Sequence, residues 1–301
     1  MGTKKDFEEK IIGAFGVVGA KWLEGLDETV SYYTDKWELV SEGPVENLSY
    51  NYVLRVRDQA NRPLILKLGV PNFDFANECR TLQFYDGASC VQVIKEDALN
   101  GAFLLDRIVP GNMLLDLEEK LAVKEFAKVW KRIRRPIQYI QDFPLIQDWF
   151  HAFDHYLLTY PKNNGPLLNK QVEQAKKLAY DILDKSQDLH LLHGDLHHQN
   201  ILYSDKDGWT VIDPKGVIGD SYFDLISFLV NELLHQSSPR EVLKRRVDIL
   251  VKELNLDRER LLLTGYVMST LYACWAVEDK TDWQEANQCA EWFQQFLFAN
   301  K

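Results

Sequence analysis

His193-Gly194-Asp195-Leu196-His197-His198-Gln199-Asn200-Ile201-Leu202, followed by Val211-Ile212-Asp213-Pro214-Lys215-Gly216, is the stretch that decides the fold of this 301-residue chain. Asn200 stands five positions after Asp195, and Asp213 stands thirteen after Asn200. Ile201 to Tyr203 and Trp209 to Ile212 read as two short strands, so a small hairpin separates the amide from the second acid. An Asp-x-x-x-x-Asn spacing alone arises by chance in any chain of this size. Here it lies inside a ten-residue motif with a second acid at a fixed distance.

That order resembles a kinase catalytic loop followed by a metal-binding aspartate. Phosphoryl transfer needs a carboxylate beside the attacking hydroxyl, to take its proton and fix its direction, and Asp195 suits that role. Magnesium prefers hard oxygen ligands, with only one or two from the protein and the rest from water and phosphate. Asn200 and Asp213 would supply those oxygens from the two sides of the hairpin. The same chemistry requires a cation on the third strand for the α- and β-phosphates, and an acid on the next helix to hold it. Lys67, in Leu64-Ile65-Leu66-Lys67-Leu68, and Glu78, eleven residues later, are the candidates.

Outward from these positions the chain changes character once. Its first twenty-odd residues read as a loosely helical lead-in. Trp37 to Val40 reads as a strand, Ser41 to Pro44 as a loop, and Tyr50 to Arg57 and Leu64 to Val70 as further strands of an antiparallel meander. A helix capped by Asn72 or Asp74 runs to Gly87, and Val91 to Ile94 and Gly101 to Leu105 complete a small sheet carrying one helix. Beyond Met113 the pattern is amphipathic helix: Leu114 to Ile133, Trp149 to Leu158, Asn169 to Lys185, Phe223 to Leu234, Pro239 to Leu254, Arg258 to Val277 and Trp283 to Phe298. The expected fold is therefore α+β and bilobal, with a nucleotide-binding lobe over 1–106 and a mainly helical catalytic lobe over 107–301.

With Leu104-Leu105-Asp106-Arg107-Ile108-Val109-Pro110-Gly111 and Gly219-Asp220 added to the catalytic motifs, the chain resembles the aminoglycoside phosphotransferase superfamily. Within it, the likeness is to the streptomycin 6-phosphotransferases, the aminoglycoside/hydroxyurea resistance kinases, over roughly Trp37 to Leu234. The resemblance implies a protein-kinase-like fold with ATP between the lobes and an antibiotic-sized alcohol on the larger one. It makes Asp195 the base, Asn200 and Asp213 the magnesium ligands, Lys67 the phosphate clamp and Glu78 its partner. Asp106, Arg107 and Ile108 become the hinge whose backbone meets the adenine. Two positions depart from the family pattern. Gln199 replaces a residue that is commonly Gly, and the nucleotide loop Ser41 to Asn51 has a single glycine.

Composition narrows the alternatives. Apolar residues make up 46% and charged residues 27% of the chain, as in an ordinary globular protein. The net charge of -10 opposes nucleic-acid or anionic-membrane binding and suits a cationic small molecule. Lys131, Arg132, Arg134 and Arg135 read as a solvated helix end. The four cysteines have no metal-knuckle spacing and read as free buried thiols. Without a signal-like N-terminus or an 18-residue apolar run, a cytoplasmic monomer or homodimer is expected. His193 reads as a loop-shaping residue rather than a zinc ligand, Asp224 as a cap or a bond back to the catalytic loop, and Lys215 as a phosphate neighbour or a partner of Asp220. Asp154, Glu232, Glu278, Asp279 and Asp282 are candidate contacts for substrate cations. Tyr272, Trp275, Trp283, Trp292 and Phe296 serve either helix packing or a cleft wall. A metabolic kinase for choline, homoserine or a sugar would use the same catalytic residues, and so remains an alternative. A non-catalytic nucleotide-binding protein would lack one of them. The ten residues between Asp213 and Asp224 leave no room for a peptide-docking activation segment.

Overall fold

The computed structural model describes residues 4–137, 143–186 and 189–298. The chain divides into two compact units, one of residues 1–111 with 203–212, the other of 112–202 with 213–301.

The first unit opens with helices α1 (Lys4–Glu24) and α2 (Leu26–Trp37). Strands β1 (Val40–Pro44), β2 (Tyr52–Arg57) and β3 (Pro63–Leu68), helix α3 (Phe73–Tyr85), and strands β4 (Val93–Asp97) and β5 (Ala102–Asp106) follow. The five strands form one antiparallel sheet in the order β1-β2-β3-β5-β4. Period-2 alternation then sorts β3 by face. Leu64, Leu66 and Leu68 join Phe7, Ile11, Tyr33 and Trp37 of α1 and α2 in a buried cluster. Lys67 has the opposite parity and meets Glu78 of α3. Asn72 caps α3 by accepting from the Phe75 amide at 2.8 Å, which is worth about 1 kcal/mol.

This unit corrects the expectation of a sheet with one helix, because α1 and α2 also cover it. Trp37 ends α2, and Glu38, with φ 56°, turns the chain into β1. Ser41 to Pro44 is strand, not loop. As an exposed edge with a bulge between Ser41 and Gly43, it shows no alternation to read.

Strand β6 (Pro110–Met113) leads into α4 (Glu119–Ile133), β7 (Arg135–Pro136), α5 (Ile146–Trp149), α6 (His151–Thr159), α7 (Asn169–Asp184) and β8 (Leu189–Leu192). After these come β9 (Ile201–Ser204), β10 (Gly208–Val211), β11 (Val217–Asp220), α8 (Ile226–Val230), α9 (Pro239–Leu254), α10 (Arg258–Glu278) and α11 (Gln284–Phe298). One three-stranded sheet is ordered β10-β9-β6 and another β11-β8-β7. The antiparallel pairing of β8 with β11 places Leu192 opposite Val217. The chain leaving β8 at His193 therefore runs beside the chain entering β11 after Asp213.

Two helical expectations are shortened. The expected helix from Phe223 to Leu234 is a 3-10 turn, Ser221–Leu225, followed by the five residues of α8. It stops because Asn231 is extended and Glu232 is left-handed, with φ 54°. The Leu114 to Ile133 pattern becomes α4 only from Glu119, behind an N-cap formed by Glu118. The absence of a long apolar run also needs correcting, since the 21-residue α10 is long and apolar enough to cross a membrane. It is nevertheless a core helix packed on α7 and α11, with 67% of its apolar window buried.

Candidate active site

Strand β8 delivers the loop that begins at His193. Gly194 has φ 79°, a conformation that L side chains rarely adopt, and a Cβ there would lie 3.1 Å from Lys215 Cβ and 3.2 Å from Trp149. Only glycine lets the loop pass this close to the segment after Asp213. The carbonyl of His193 accepts from the amides of Lys215 at 2.7 Å and Gly216 at 3.3 Å, stitching the two motifs together. His193 itself is fully buried, and its Nδ1 accepts from the Asp195 amide at 3.2 Å. This is the loop-shaping role expected of it.

The Asp195 carboxylate accepts no hydrogen bond among the described residues, and its side chain is 39% exposed. Its closest charged-type neighbour is His197 Nε2, at 3.7 Å. His197 Nδ1 accepts from the Gln199 amide at 3.2 Å, and its Nε2 lies 3.2 Å from Asn200 Nδ2. A carboxylate held in place by its backbone and left open at its oxygens can receive a proton from a hydroxyl.

Asn200 is 8% exposed, and its Nδ2 donates to the Asp195 carbonyl at 2.9 Å. That bond fixes the amide so that Oδ1, which takes no hydrogen bond among the described residues, is the atom left for a ligand. Asp213 has φ 58°, a left-handed backbone of the kind often found at functional sites. An open amide oxygen and a carboxylate on neighbouring segments fit a hard divalent cation.

Asp224, read from the sequence as a cap or a bond back to the catalytic loop, makes that bond. It is 5% exposed and accepts from the Gly194 amide at 2.7 Å and the His193 amide at 3.2 Å. Burial pushes its pKa up to about 6, while those two amides act in the opposite direction. Asp220, considered as a partner of Lys215, instead pairs with Arg260 and accepts from Ser186 at 2.6 Å.

In the first unit, Lys67 Nζ donates to Glu78 Oε1 at 2.6 Å, with the two residues 3% and 8% exposed. The pair also lies near Phe103, whose ring centroid is 5.7 Å from Nζ. The expected hinge is more selective than its three residues imply. Asp106 and Arg107 turn their side chains to Arg62 at 2.5 Å and Glu42 at 2.6 Å. Their amides are taken by Gln92 O and Pro63 O. Of the three, only the Ile108 amide has no partner among the described residues.

The second unit also holds a cavity of about 410 Å³, lined by Asn231, Glu232, His235, Tyr272, Asp282 and Glu285 among others. It gathers two of the candidate acids, Glu232 and Asp282, and adds Glu285, which no motif or spacing singles out. Asp154 and Glu278 are engaged by Lys176 and His155, and Asp279 does not line the cavity. The cavity is tied to the loop, because Gln199 Nε2 donates to Glu232 at 2.7 Å and His198 Nδ1 lies 2.9 Å from Asn231 Oδ1. Tyr272 lines the wall. Its phenol pKa is raised by burial and, to a smaller degree, by the charges of Asp195 and Asp224. Trp275 packs against both Tyr272 and Trp149.

Residues 36–280 match the aminoglycoside/hydroxyurea antibiotic resistance kinase family. The chain belongs to this family. Among curated resistance kinases, the streptomycin 6-kinase of Streptomyces glaucescens is 27% identical over 277 residues, covering 88% of each chain. The hydroxyurea phosphotransferase of Kitasatospora aureofaciens is 28% identical over 268 residues, covering 88% of this chain and 77% of that one. Among solved structures, choline kinase LicA from Streptococcus pneumoniae superposes with a TM-score of 0.64 at 14% identity, covering 90% of this chain and 99% of that one. This last likeness confirms the protein-kinase-like fold. The chain is thus a resistance-kinase-family phosphotransferase with an α+β architecture.

Proposed function

We propose that this kinase transfers the γ-phosphate of ATP to a hydroxyl of a cationic aminoglycoside of streptomycin type. The observation that carries the reading is the Asp195 carboxylate, fixed by its backbone and accepting no hydrogen bond among the described residues. It takes the acceptor hydroxyl proton as the oxygen attacks the γ-phosphorus. Asn200 Oδ1 and Asp213 would hold magnesium, which would supply positive charge to the phosphates. Lys67, oriented by Glu78, contacts the α- and β-phosphates. At the hinge of Asp106, Arg107 and Ile108, the Ile108 amide donates to the adenine, since the other two amides are already engaged.

Three carboxylates around a cavity of about 410 Å³ favour a guanidinium- or ammonium-bearing acceptor, because charge-assisted hydrogen bonds to carboxylates are roughly twice as strong as neutral ones. The net charge of -10 is consistent with a partner set that excludes nucleic acid and anionic membrane. The four free, buried cysteines accord with a cytoplasmic setting. The protein acts as a monomer or homodimer.

The test is magnesium- and ATP-dependent ADP release with streptomycin, other aminoglycosides, hydroxyurea, choline, homoserine and simple sugars, using Asp195→Ala as the control. Turnover on streptomycin, abolished in Asp195→Ala while nucleotide binding persists, is the expected result. Turnover confined to an uncharged acceptor or to a metabolite would overturn the acceptor assignment. Loss of nucleotide binding in folded Asp195→Ala would overturn its role as base.

A further inference from the structure

Arg246 lies on α9, far in sequence from every motif, yet it is one of the largest fully buried side chains, at 2% exposure. Its Nη1 donates to three backbone carbonyls, Phe228 at 3.1 Å, Leu229 at 2.9 Å and Asn231 at 2.8 Å. These are carbonyls at the C-terminal end of α8, where a helix leaves its last four acceptors without intrahelical partners and a positive charge is favoured. The guanidinium also stands 5.6 Å from the Phe228 ring centroid. Its Nε lies 3.5 Å from Glu119 Oε1, with neither atom hydrogen-bonded.

What Arg246 grips is the segment from which the end of the catalytic loop hangs. The His198 ring stacks on Phe228 with centroids 4.2 Å apart, and its Nδ1 meets Asn231 Oδ1 at 2.9 Å. Gln199 Nε2 donates to Glu232 at 2.7 Å. Two consecutive loop residues are thus fastened to residues 228–232, and the next residue in the chain is Asn200.

We propose that Arg246 is a positioning residue for the metal-binding half of the site: by fixing the carbonyls of 228–231 it sets where His198 and Gln199 place Asn200. The inference rests on the assignment of Asn200 as a magnesium ligand. A buried guanidinium is a poor stabilising device, since well-packed apolar residues of similar volume serve stability as well or better. Its terminal Nη1, one bond farther from Cα than a lysine ammonium reaches, gathers all three carbonyls at one point beyond the end of α8. A metal ligand must be placed to within about 0.5 Å, and a loop outside any strand ladder needs such external fixing.

The test compares wild type with Arg246→Lys, Asn231→Ala and Asn200→Ala. Calorimetry measures binding of a non-hydrolysable ATP analogue with and without magnesium, alongside melting temperature and kcat. The expected result is that Arg246→Lys and Asn231→Ala each weaken magnesium-dependent nucleotide binding at least threefold and lower kcat, leaving metal-free nucleotide binding unchanged. Asn231→Ala spares the Arg246 bonds, which go to backbone, and so reports even if the Arg246 variant fails to fold. If both variants only lower the melting temperature, with metal-dependent affinity intact while Asn200→Ala loses it, this inference falls and the metal assignment stands. If Asn200→Ala itself binds magnesium and nucleotide normally, both fall.

Discussion

Asp224→Asn separates stability from activity in a way that the geometry makes quantitative. The wild-type carboxyl is buried, with a pKa pushed up to about 6 from the ordinary carboxylate value. Its raised value means that folding favours the protonated form. The stability contribution of this group is therefore fully present below pH ~3.8 and is lost as pH rises through about 6. Between pH 5 and 7.5 that loss amounts to about 1.4 kcal/mol, or about 2 to 4 °C in melting temperature. Asp224→Asn removes this dependence, so the difference in melting temperature between variant and wild type shifts in the variant's favour across that interval. Activity moves the other way. An amide presents one oxygen and one NH2 where the carboxylate accepts from two backbone amides, Gly194 and His193. One buried N–H is then orphaned, at about 1 to 3 kcal/mol, and the turn that carries Asp195 loosens. Turnover should fall by about tenfold or more, at 1.4 kcal/mol per decade. Steady-state ADP release and thermal unfolding at pH 5 and 7.5 measure both effects. An Asp224→Asn enzyme with wild-type kcat would show that the carboxylate does not hold the loop, and one whose melting temperature tracks that of wild type at both pH values would show that its ionisation is not linked to folding.

Lys67→Met breaks the buried pair that Lys67 makes with Glu78 at 2.6 Å, and removing one member of such a pair costs about 3 to 5 kcal/mol. Adding Glu78→Gln should recover most of that stability in thermal unfolding without restoring turnover, and recovery of both would show that the pair is structural only. Asp282→Asn and Glu285→Gln, both in the cavity wall, should each raise the KM for streptomycin about tenfold, as expected for a lost charge-assisted hydrogen bond, while leaving the KM for ATP unchanged. A larger effect on ATP than on the acceptor would remove them from the acceptor wall. Burial pushes the thiols of Cys79, Cys274 and Cys289 up to about 12. Native protein at pH 8 should therefore label slowly with a thiol reagent and fully in denaturant; rapid native labelling of these three would contradict their burial.

The proposed chemistry is legible in the sequence because its residues are local. Asp195, Asn200 and Asp213 lie within nineteen consecutive residues, and one hairpin is enough to relate them. Lys67 and Glu78 were legible because strand parity and the first turn of the following helix are also short-range rules. Legibility fails where an element is short or its pattern masked. The buried strand β8 is four residues long, β7 only two, and β1 is an exposed edge. In α1, glycines at 13, 16 and 19 obscure the stripe formed by Phe7 and Ile11. The false extension of α8 to Leu234 has a different cause. The amphipathic pattern does continue, but Asn231 and Glu232 are held by His198 and Gln199, and those tertiary bonds override helix propensity.

The supports of the catalytic loop were invisible for the same reason that they are informative. Asp224 takes the amides at the start of the loop, and Arg246 takes the carbonyls beneath its end. Each is a single ionisable residue outside every short motif, and each addresses backbone rather than side chains, so no residue-type pattern marks it. Both charges are buried at a cost to stability that apolar residues would not impose. A loop with no strand ladder of its own leaves its backbone groups to be satisfied from outside, and charged partners satisfy them more strongly than neutral ones. The proposed base and metal ligands name the reaction. The two flanking charges fix the loop on which that reaction depends.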